Sequence, residues 1–413
     1  MDKRISKLSA ILMAAVLAFS LTGCGSSEEE STSAESTSAV STTAGETTAA
    51  TTGGAETADV KAAVVCSAAG QNDTGYNASA CEAIKALAAS KGFEYKIVEP
   101  TNGIPAALET MAEDGYNLIF SLEYDFDALI KGVGGAKPIA EQYPDTTFVI
   151  FNADPNRNED GSLIHENVIS VLFDVHEGSY LAGYAYVLMN ENQDKLFGDA
   201  YQMTPVDTAR AVGFVGGTNS DGILVYSYGF MQGIERACVE LDVNYDYYAK
   251  YDAGFSDPAL GSTVAGTMFD NGANIVFADC GMVGDGITAK AKEVGKISIQ
   301  VDADLDAQQP GHVLTSVLKI TGIPVETITN AFLDGSIGTM ENTQSFDIAS
   351  GGTGITDMSE ISKYVADTAL WDELKAKVFA VQDEIKAGTV TIINAQEGEA
   401  FDAAADCPHI TVK

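Results

Sequence analysis

The chain has little positive charge. Its 413 residues contain 23 lysines and arginines against 59 aspartates and glutamates, which gives a formal net charge of −36. Binding to nucleic-acid phosphates requires clustered basic side chains, so the absence of any basic stretch argues against a nucleic-acid-binding protein. Histidine is also scarce, since only four are present at widely separated positions. This scatter argues against a zinc site and leaves no identifiable Ser-His-Asp triad.

The common catalytic signatures are missing as well. We find no Walker A pattern, no complete G-x-G-x-x-G after a strand and no G-x-S-x-G elbow. The acidic run at residues 302–306 resembles the start of a calcium loop, but Ala307 and Val313 stand where that loop needs Gly and Glu. We therefore expect no metal, no cofactor and no enzymatic activity. A hydrolase that uses paired carboxylates from residues 123–127 and Asp302 is the less favoured alternative.

Long apolar runs are absent except at the N-terminus. Residues 8–21 form an apolar segment that follows Lys3, Arg4 and Lys7, and it is too short to span a bilayer with margin. The segment ends in Leu21-Thr22-Gly23-Cys24, which resembles a bacterial lipobox. We interpret residues 1–23 as a signal peptide and Cys24 as the lipidated N-terminus of the mature protein. An ordinary signal peptide with a chance cysteine is the alternative.

Residues 24–59 predict a disordered tether. After Cys24 they consist almost entirely of Ser, Thr, Glu, Ala and Gly and contain no aromatic residue, so they cannot bury a core. A flexible coil of this length spans roughly 30–35 Å. We expect the lipid anchor and this tether to hold a globular body at the extracytoplasmic face of the cell membrane.

The remaining sequence alternates between strands and helices. Short apolar runs predict strands at residues 61–67, 118–121, 147–151 and 168–173, and helical periodicity separates them, including one helix over residues 128–142. A second set of similar size follows, with strands at residues 211–215, 245–251, 275–278 and 298–301, and a further strand at residues 313–317 comes after it. This pattern predicts an α/β protein with two doubly wound lobes. Its ligand site is expected in the cleft beyond the carboxyl ends of the strands.

Cysteine usage does not indicate a disulfide framework. Five cysteines remain after Cys24, and an odd number cannot pair completely. Most of them fall in predicted strands or helices, so we expect buried free thiols.

Several motifs follow one another in an order typical of one protein family. The segment Gln71-Asn72-Asp73-Thr74-Gly75-Tyr76-Asn77 follows the first strand and opens the first helix. Further matches are E-G-S-Y-L-A-G at residues 177–183, G-F-M-Q-G at 229–233, F-S-D-P at 255–258, V-D-A-D at 301–304 and L-T-S-V-L-K at 314–319. Over about residues 60–340 the chain resembles the basic membrane protein family of substrate-binding lipoproteins, which includes purine nucleoside receptors of ABC transporters.

The resemblance implies a fold and a function. The family has the type I periplasmic-binding-protein fold, in which two α/β lobes are joined by three crossovers and enclose an interlobe ligand cleft. By analogy, lobe one comprises residues 60–175 and 308–343, and lobe two comprises residues 176–307 and 344–413. The implied protein captures a nucleoside, foremost a purine nucleoside, and delivers it to the permease of an ABC transporter. A sensor that presents a nucleoside, sugar or cationic ligand to a membrane receptor is the alternative.

The resemblance also implies roles for individual residues. Asn72 and Asp73 match positions that bind polar edges of the ligand, and Tyr76 and Phe255 match aromatic residues that sandwich a base. Asp302 and Lys319 match residues that bind the sugar hydroxyls of the ligand. Gly281 and Gly284 match glycines at which the backbone approaches the ligand closely. Each role has a structural alternative: helix capping for Asn72, Asp73 and Asp302, packing for Tyr76 and Phe255, and a surface position for Lys319.

One departure from the family pattern concerns the loop after the third strand. The acidic sequence Glu123-Tyr124-Asp125-Phe126-Asp127 replaces a turn that is usually glycine-rich and apolar. We expect Glu123, Asp125 and Phe126 to line the cleft. Additional carboxylates there would repel a phosphate, so a nucleoside is favoured over a nucleotide.

Overall fold

The computed structural model describes residues 59–413 except residues 74 and 124 and the side chain of residue 397. The predicted signal peptide, the lipidation site Cys24 and nearly all of the predicted tether lie outside the described residues. Across residues 59–413, apart from the two positions left out, no helix has the length and apolar character needed to cross a membrane.

The first sheet is formed by six parallel strands in the order β11-β5-β4-β3-β1-β2. Their bounds are β1 Lys61–Val65, β2 Glu94–Val98, β3 Leu118–Ser121, β4 Thr147–Phe151, β5 Val168–Phe173 and β11 Thr343–Phe346. Along β4, Phe148 and Ile150 face one apolar core, whereas Val149 and Phe151 face another. Both faces of the sheet are therefore buried, which explains the continuous apolar runs in its sequence.

The second sheet contains seven strands in the order β12-β10-β9-β8-β6-β7-β13. Their bounds are β6 Ala211–Gly216, β7 Tyr245–Lys250, β8 Ala273–Asp279, β9 Ile297–Asp302, β10 Val313–Lys319, β12 Thr353–Ile355 and β13 Ile410–Val412. All neighbours are parallel except β12, which runs antiparallel to β10. The predicted α/β architecture with two largely parallel sheets is confirmed.

The longer helices cover the sheets and the shorter ones connect them. Their bounds are α1 Tyr76–Lys91, α2 Ile104–Glu113, α3 Asp127–Ile130, α4 Ile139–Gln142, α5 Val175–Asn190, α6 Gln193–Leu196, α7 Asp221–Leu241, α8 Pro258–Asp270, α9 Met282–Glu293, α10 Gly322–Asp334, α11 Thr368–Lys386 and α12 Ala403–Asp406. The single helix predicted over residues 128–142 is wrong, because α3 and α4 are separate. Gly132, Gly134 and Gly135 take positive φ angles between them, and Pro138 precedes α4.

The chain passes between the two sheets three times. It leaves the first sheet after β5, returns after β10 through α10 to β11, and crosses back to β12. The structure differs from the predicted lobe boundary at residue 308, because β10 pairs with β9 in the second sheet. The segment that returns to the first sheet thus begins after Lys319 and extends to Phe346, where β11 ends.

Two of the family motifs form a close helix–helix contact. A Cβ added at Gly183 of α5 would lie 2.3 Å from the Phe230 carbonyl oxygen of α7. A Cβ at Gly233 of α7 would lie 1.9 Å from the Tyr180 carbonyl oxygen of α5. The glycines of E-G-S-Y-L-A-G and G-F-M-Q-G therefore let the two backbones approach more closely than any larger residue would allow.

The five cysteines of the described region are free and buried, as predicted. Cys66 follows β1 and Cys81 lies in α1, with their Sγ atoms 3.7 Å apart. Burial therefore gives these side chains a packing role.

Candidate functional site

Three neighbouring strands of the second sheet end in charged residues. Asp279 ends β8, Asp302 ends β9 and Lys319 ends β10, and the register sets Leu318 opposite Asp302. Because β8, β9 and β10 are parallel and adjacent, the three side chains share the carboxyl edge of the sheet. This edge is where a ligand site is expected in an open parallel sheet.

Lys319 lies among aromatic rings from both lobes. Its side chain is only 7% exposed, and its Nζ lies 5.5 Å from the ring centre of Tyr76, 5.4 Å from that of Phe173 and 5.7 Å from that of Tyr226. Ammonium groups at such distances are attracted to the faces of aromatic rings. Phe173 ends β5 of the first sheet and Tyr226 lies in α7, so Lys319 is an internal cation at the junction of the two lobes and not a surface lysine.

The charges in this cluster shift one another's pKa. Burial raises the pKa of Asp302 to about 6, with the Lys319 ammonium opposing the shift and the Asp73 carboxylate adding to it. Burial likewise raises the pKa of Asp279, and Asp302 adds to this effect. The pKa of Lys319 is lowered by burial and partly restored by the two aspartates. Groups with such mutually perturbed pKa values in one cleft are typical of functional sites.

Tyr76 is held by hydrogen bonds at the carboxyl edge of the first sheet. Its hydroxyl donates to the Leu122 carbonyl at 3.0 Å and accepts from Asn152 Nδ2 at 2.6 Å. Its backbone carbonyl accepts from the Thr321 hydroxyl at 2.6 Å, in the segment that joins β10 to α10. The ring is therefore fixed beside Lys319, and only part of it packs against the core.

Asp73 caps the first helix. Its carboxylate accepts hydrogen bonds from the backbone N–H groups of Gly75, Asn77 and Ala78 at 2.8–3.2 Å. The capping alternative is thus realised for Asp73, while Asn72 is exposed in the preceding turn. A Cβ at Gly75 would lie 3.3 Å from the Cβ of Asp302, so this turn reaches the opposite lobe at the charged cluster.

Phe255 is 45% exposed at the edge of the second sheet. A Cβ at Gly217 would lie 2.1 Å from its ring, so the ring lies directly on that glycine. The Phe255 carbonyl accepts a hydrogen bond from Met282 N–H at 2.9 Å. Gly281 has φ +54° and lies beside it, with its added Cβ 3.1 Å from the Phe255 carbonyl oxygen.

Two predicted site residues lie elsewhere. Gly284 is buried in α9, where a Cβ would lie 3.1 Å from the Gln300 side chain and 3.3 Å from Ala278, so it serves packing and not backbone approach to a ligand. Phe126 is 6% exposed and packs in the core of the first lobe with Leu129 and Ile130, because its apolar ring gains more from burial than from lining a polar cleft. Both expectations are corrected.

Glu123 lines a cavity of about 400 Å³ at the carboxyl ends of β1, β2 and β3. Its carboxylate accepts a hydrogen bond from Ala68 N–H at 2.9 Å, and Glu99 on the opposite wall accepts from Gln71. Asp125 is exposed beside this loop.

In the part of the chain that the structure describes, no group of three or more His, Cys, Asp or Glu side chains could hold a metal ion.

The sequence reasoning missed Asp279, Phe173 and Tyr226. For Asp279 a signal was present, because it directly follows the predicted strand at residues 275–278, as Asp302 follows its strand. Phe173 and Tyr226 gave no such signal, since each fits an apolar strand or helix pattern. Only tertiary packing brings these rings to Lys319, between the two lobes for Phe173 and within the second lobe for Tyr226.

Comparisons with known proteins agree with this arrangement. A family model described as "ABC transporter substrate-binding protein PnrA-like" matches residues 60–390. Basic membrane protein A of Borreliella afzelii is 27% identical over 267 residues, which cover 63% of this chain and 72% of that protein. ABC transporter nucleoside-binding protein BmpA of Lactococcus lactis subsp. cremoris is 27% identical over 396 residues, which cover 89% of this chain and 95% of that protein.

Solved structures share the fold. A solute-binding protein of an ABC transporter system from Aeropyrum pernix K1 matches with a TM-score of 0.64 and 19% identity, covering 81% of this chain and 93% of that one. Another from Conexibacter woesei matches with a TM-score of 0.56 and 21% identity, covering 81% and 99%. The predicted two-lobe fold of the type I periplasmic binding proteins is confirmed.

Proposed function

Because the chain belongs to the PnrA-like family of ABC transporter substrate-binding proteins, we propose that it captures a nucleoside, foremost a purine nucleoside, between its two lobes. The proposal extends to its cellular context: a lipid anchor at Cys24 holds the protein at the extracytoplasmic face of the membrane, and an ABC transporter permease receives the ligand. The relative from Lactococcus lactis is named a nucleoside-binding protein, and this supports the choice of ligand.

The observation that carries the proposal is the cluster around Lys319. A nucleoside has an apolar base with two π-faces and a sugar with hydroxyl groups, so its site needs aromatic rings next to charged hydrogen-bonding groups. The Tyr76 ring lies 5.5 Å from Lys319 Nζ, and Asp302 lies at the neighbouring strand end. Lys319 would donate to the sugar oxygens and Asp302 would accept from the hydroxyls, while Tyr76 and Phe255 would stack on the base.

Acidic side chains support a neutral ligand. Glu99 and Glu123 line the cavity at the carboxyl ends of the first sheet, the Asp73 carboxylate acts on Asp302, and Lys319 is a buried cation at the ends of the second sheet. A phosphate brought to this edge would meet several carboxylates and a single ammonium. The charge distribution therefore favours a nucleoside over a nucleotide.

Binding alone fulfils this function, and no bond of the ligand needs to be broken. A hinged closure of the two lobes would bury the ligand, and contacts to both lobes would stabilise the closed state. The nucleoside recovered after incubation with the protein is therefore expected to be chemically unchanged.

Thermal unfolding of the full chain with a ligand panel tests the proposal. The panel contains purine and pyrimidine nucleosides, free bases, nucleotides, sugars and amino acids. A ligand at about 100 times its dissociation constant adds about 2.7 kcal/mol to the free energy of unfolding, which raises Tm by a few degrees. We expect the largest shift with purine nucleosides. A shift with a sugar or an amino acid, without one for any nucleoside, would contradict the proposed ligand while leaving the fold and family intact.

A further inference from the structure

Asp279 has a carboxylate oxygen without a hydrogen-bond partner. The residue is 5% exposed at the end of β8, and its Oδ2 finds no donor among residues 59–413, leaving aside the two undescribed positions. Its backbone carbonyl is used, because it accepts from Gly217 N–H at 2.9 Å. A buried oxygen of this kind costs free energy unless something donates to it, so its presence in a folded protein needs an explanation.

A buried carboxylate with a structural role has a different environment in this protein. Asp306 is also buried, and its two oxygens accept hydrogen bonds from the Ser316 hydroxyl at 2.8 Å and the Thr356 hydroxyl at 2.6 Å. Asp306 therefore holds the segment after β9 against β10 and the residue that follows β12. Asp279 Oδ2 holds no segment in this way, because none of the described residues donates a hydrogen bond to it. This oxygen can therefore accept a hydrogen bond from a bound ligand.

The position of Asp279 indicates where that donor comes from. Neighbouring strands of a sheet lie about 4.8 Å apart, and Asp279 and Asp302 end the neighbouring strands β8 and β9. The Asp302 carboxylate helps to raise the pKa of Asp279, and Lys319 interacts electrostatically with both aspartates. Other buried polar atoms without partners occur at the facing edge of the first sheet, namely Ser121 Oγ at the end of β3 and Asn152 Oδ1 after β4. Unmatched polar atoms on both edges are expected where a polar ligand completes the hydrogen bonding.

We propose that Asp279 is a specificity-determining residue that accepts a hydrogen bond from a sugar hydroxyl, and that the site thereby selects ribosides over deoxyribosides. The inference rests on the proposed function. Two vicinal hydroxyls of a ribose carry two donors, and two carboxylates from adjacent strands can accept one each while Lys319 donates to the same oxygens. A sugar lacking one hydroxyl would leave Asp279 or Asp302 buried without a donor. Sites built to bind a ligand hydroxyl strongly reject analogues that lack it, for this reason.

Calorimetric titration of the full chain with matched nucleosides tests the inference. The ligands are adenosine, inosine and guanosine with their 2′-deoxy and 3′-deoxy analogues. We expect the wild-type protein to bind the ribosides at least tenfold more tightly than one of the two deoxy series. In Asp279→Asn, that preference is expected to fall below threefold, because the carboxylate that needs the missing hydroxyl is gone.

Asp304→Asn is the matched control. Asp304 lies two residues after Asp302 but is exposed, so its replacement should leave the preference unchanged. A wild-type protein that binds ribosides and both deoxy series equally would overturn the inference alone, whether or not the variant folds. An unchanged preference in a folded Asp279→Asn protein would do the same. Failure of the wild-type protein to bind any nucleoside would overturn the proposed function together with the inference.

Discussion

Asp302 has a backbone conformation that few residues adopt. Its φ angle is +71°, and Asn152, at the facing edge of the first sheet, has a φ angle of +70°. Asp and Asn tolerate this left-handed region better than most residues with a Cβ. Strained backbone at such positions is typical of functional sites, where the surrounding structure keeps a side chain in a required direction. The conformation also decides which substitution tests Asp302 cleanly, because Ala would add strain and Asn would not.

Asp302→Asn is predicted to weaken the binding of purine ribosides at least tenfold and that of the free bases less than threefold. The carboxylate accepts sugar hydroxyls in the proposed complex, and an amide in its place supplies only one acceptor oxygen. Calorimetric titration of both ligand classes measures the difference, with Asp304→Asn as the control. An equal loss for ribosides and bases would contradict the sugar-binding role.

Phe255→Ala is predicted to weaken nucleoside binding at least tenfold without lowering Tm of the free protein by more than about 2 °C. Stacking a base on an aromatic ring contributes about 1–3 kcal/mol, and tenfold corresponds to about 1.4 kcal/mol. The ring is 45% exposed, so little core packing is lost. Phe255→Tyr keeps the ring and should bind within threefold of wild type. Unchanged affinity of the Ala variant would show that Phe255 does not stack on the ligand.

Helices α5 and α7 illustrate how a motif can serve packing and not the site. The glycines at residues 178, 183, 229 and 233 all lie where a Cβ would come within 2.5 Å of a backbone carbonyl oxygen of a neighbouring element. Their neighbours are Gly354 of β12 for the first, and facing residues of α5 or α7 for the others. The sequence motifs that identified the family therefore encode the close contact of α5 with α7 and with the second sheet.

Gly233→Ala is predicted to destabilise the protein by about 1–3 kcal/mol, because the new methyl group overlaps the Tyr180 carbonyl and the helices must separate. Urea unfolding measures the change. Gly266→Ala in α8 is the matched control, since the nearest atom to its Cβ is the flexible Lys290 side chain at 3.9 Å. Ala is the better helix former, so the control should be neutral or stabilised by up to about 1 kcal/mol. Equal effects of both substitutions would contradict the packing argument.

Three crossovers connect the lobes, and the first and third of them meet near the start of α5. Glu177 in the first turn of α5 accepts a hydrogen bond from Ile348 N–H at 2.8 Å, and Asp174 N–H donates to the Phe346 carbonyl at 3.1 Å. The first and third crossovers are therefore joined by hydrogen bonds. Burial raises the pKa of Glu177 to about 7, opposed by the bond from Ile348 and assisted by the carboxylates of Asp174 and Asp347.

The raised pKa of Glu177 makes the free energy of unfolding depend on pH. Because the pKa of Glu177 is higher in the folded than in the unfolded state, the folded protein binds more protons between about pH 4.5 and pH 7. The contribution of Glu177 to the free energy of unfolding is complete below that range and is lost as the pH rises through 7. Glu177→Gln mimics the protonated form and removes this dependence.

We predict that the stability of Glu177→Gln relative to wild type rises by about 2 kcal/mol between pH 5 and pH 8, an order-of-magnitude value. Urea unfolding at intervals of one pH unit measures it. Glu166→Gln is the control at an exposed position, and its free energy of unfolding should change with pH as that of the wild-type protein does. A constant difference between Glu177→Gln and wild type across this range would show that Glu177 is ionised throughout.

The sequence by itself determined most of the elements and named part of the candidate site. The strands at residues 118–121, 147–151 and 168–173 are predicted with the bounds that the structure shows, because apolar runs between turn residues are a local signal. Asp302 and Tyr76 were identified through motifs that resemble those of the family, and each of these motifs is a short local stretch of sequence.

The tertiary structure decided what depends on contacts between distant segments. An apolar strand fits either sheet, so only its pairing with β9 assigns β10 to the second lobe. Phe126 and Gly284 have residue types that suit a cleft, and packing buries both in cores. The meeting of Lys319 with Phe173 and Tyr226, and the unpaired oxygen of Asp279, arise because strand ends and a helix that are far apart in the chain come together. Local sequence patterns carry no information about such pairings, because the energies that fix them are non-local.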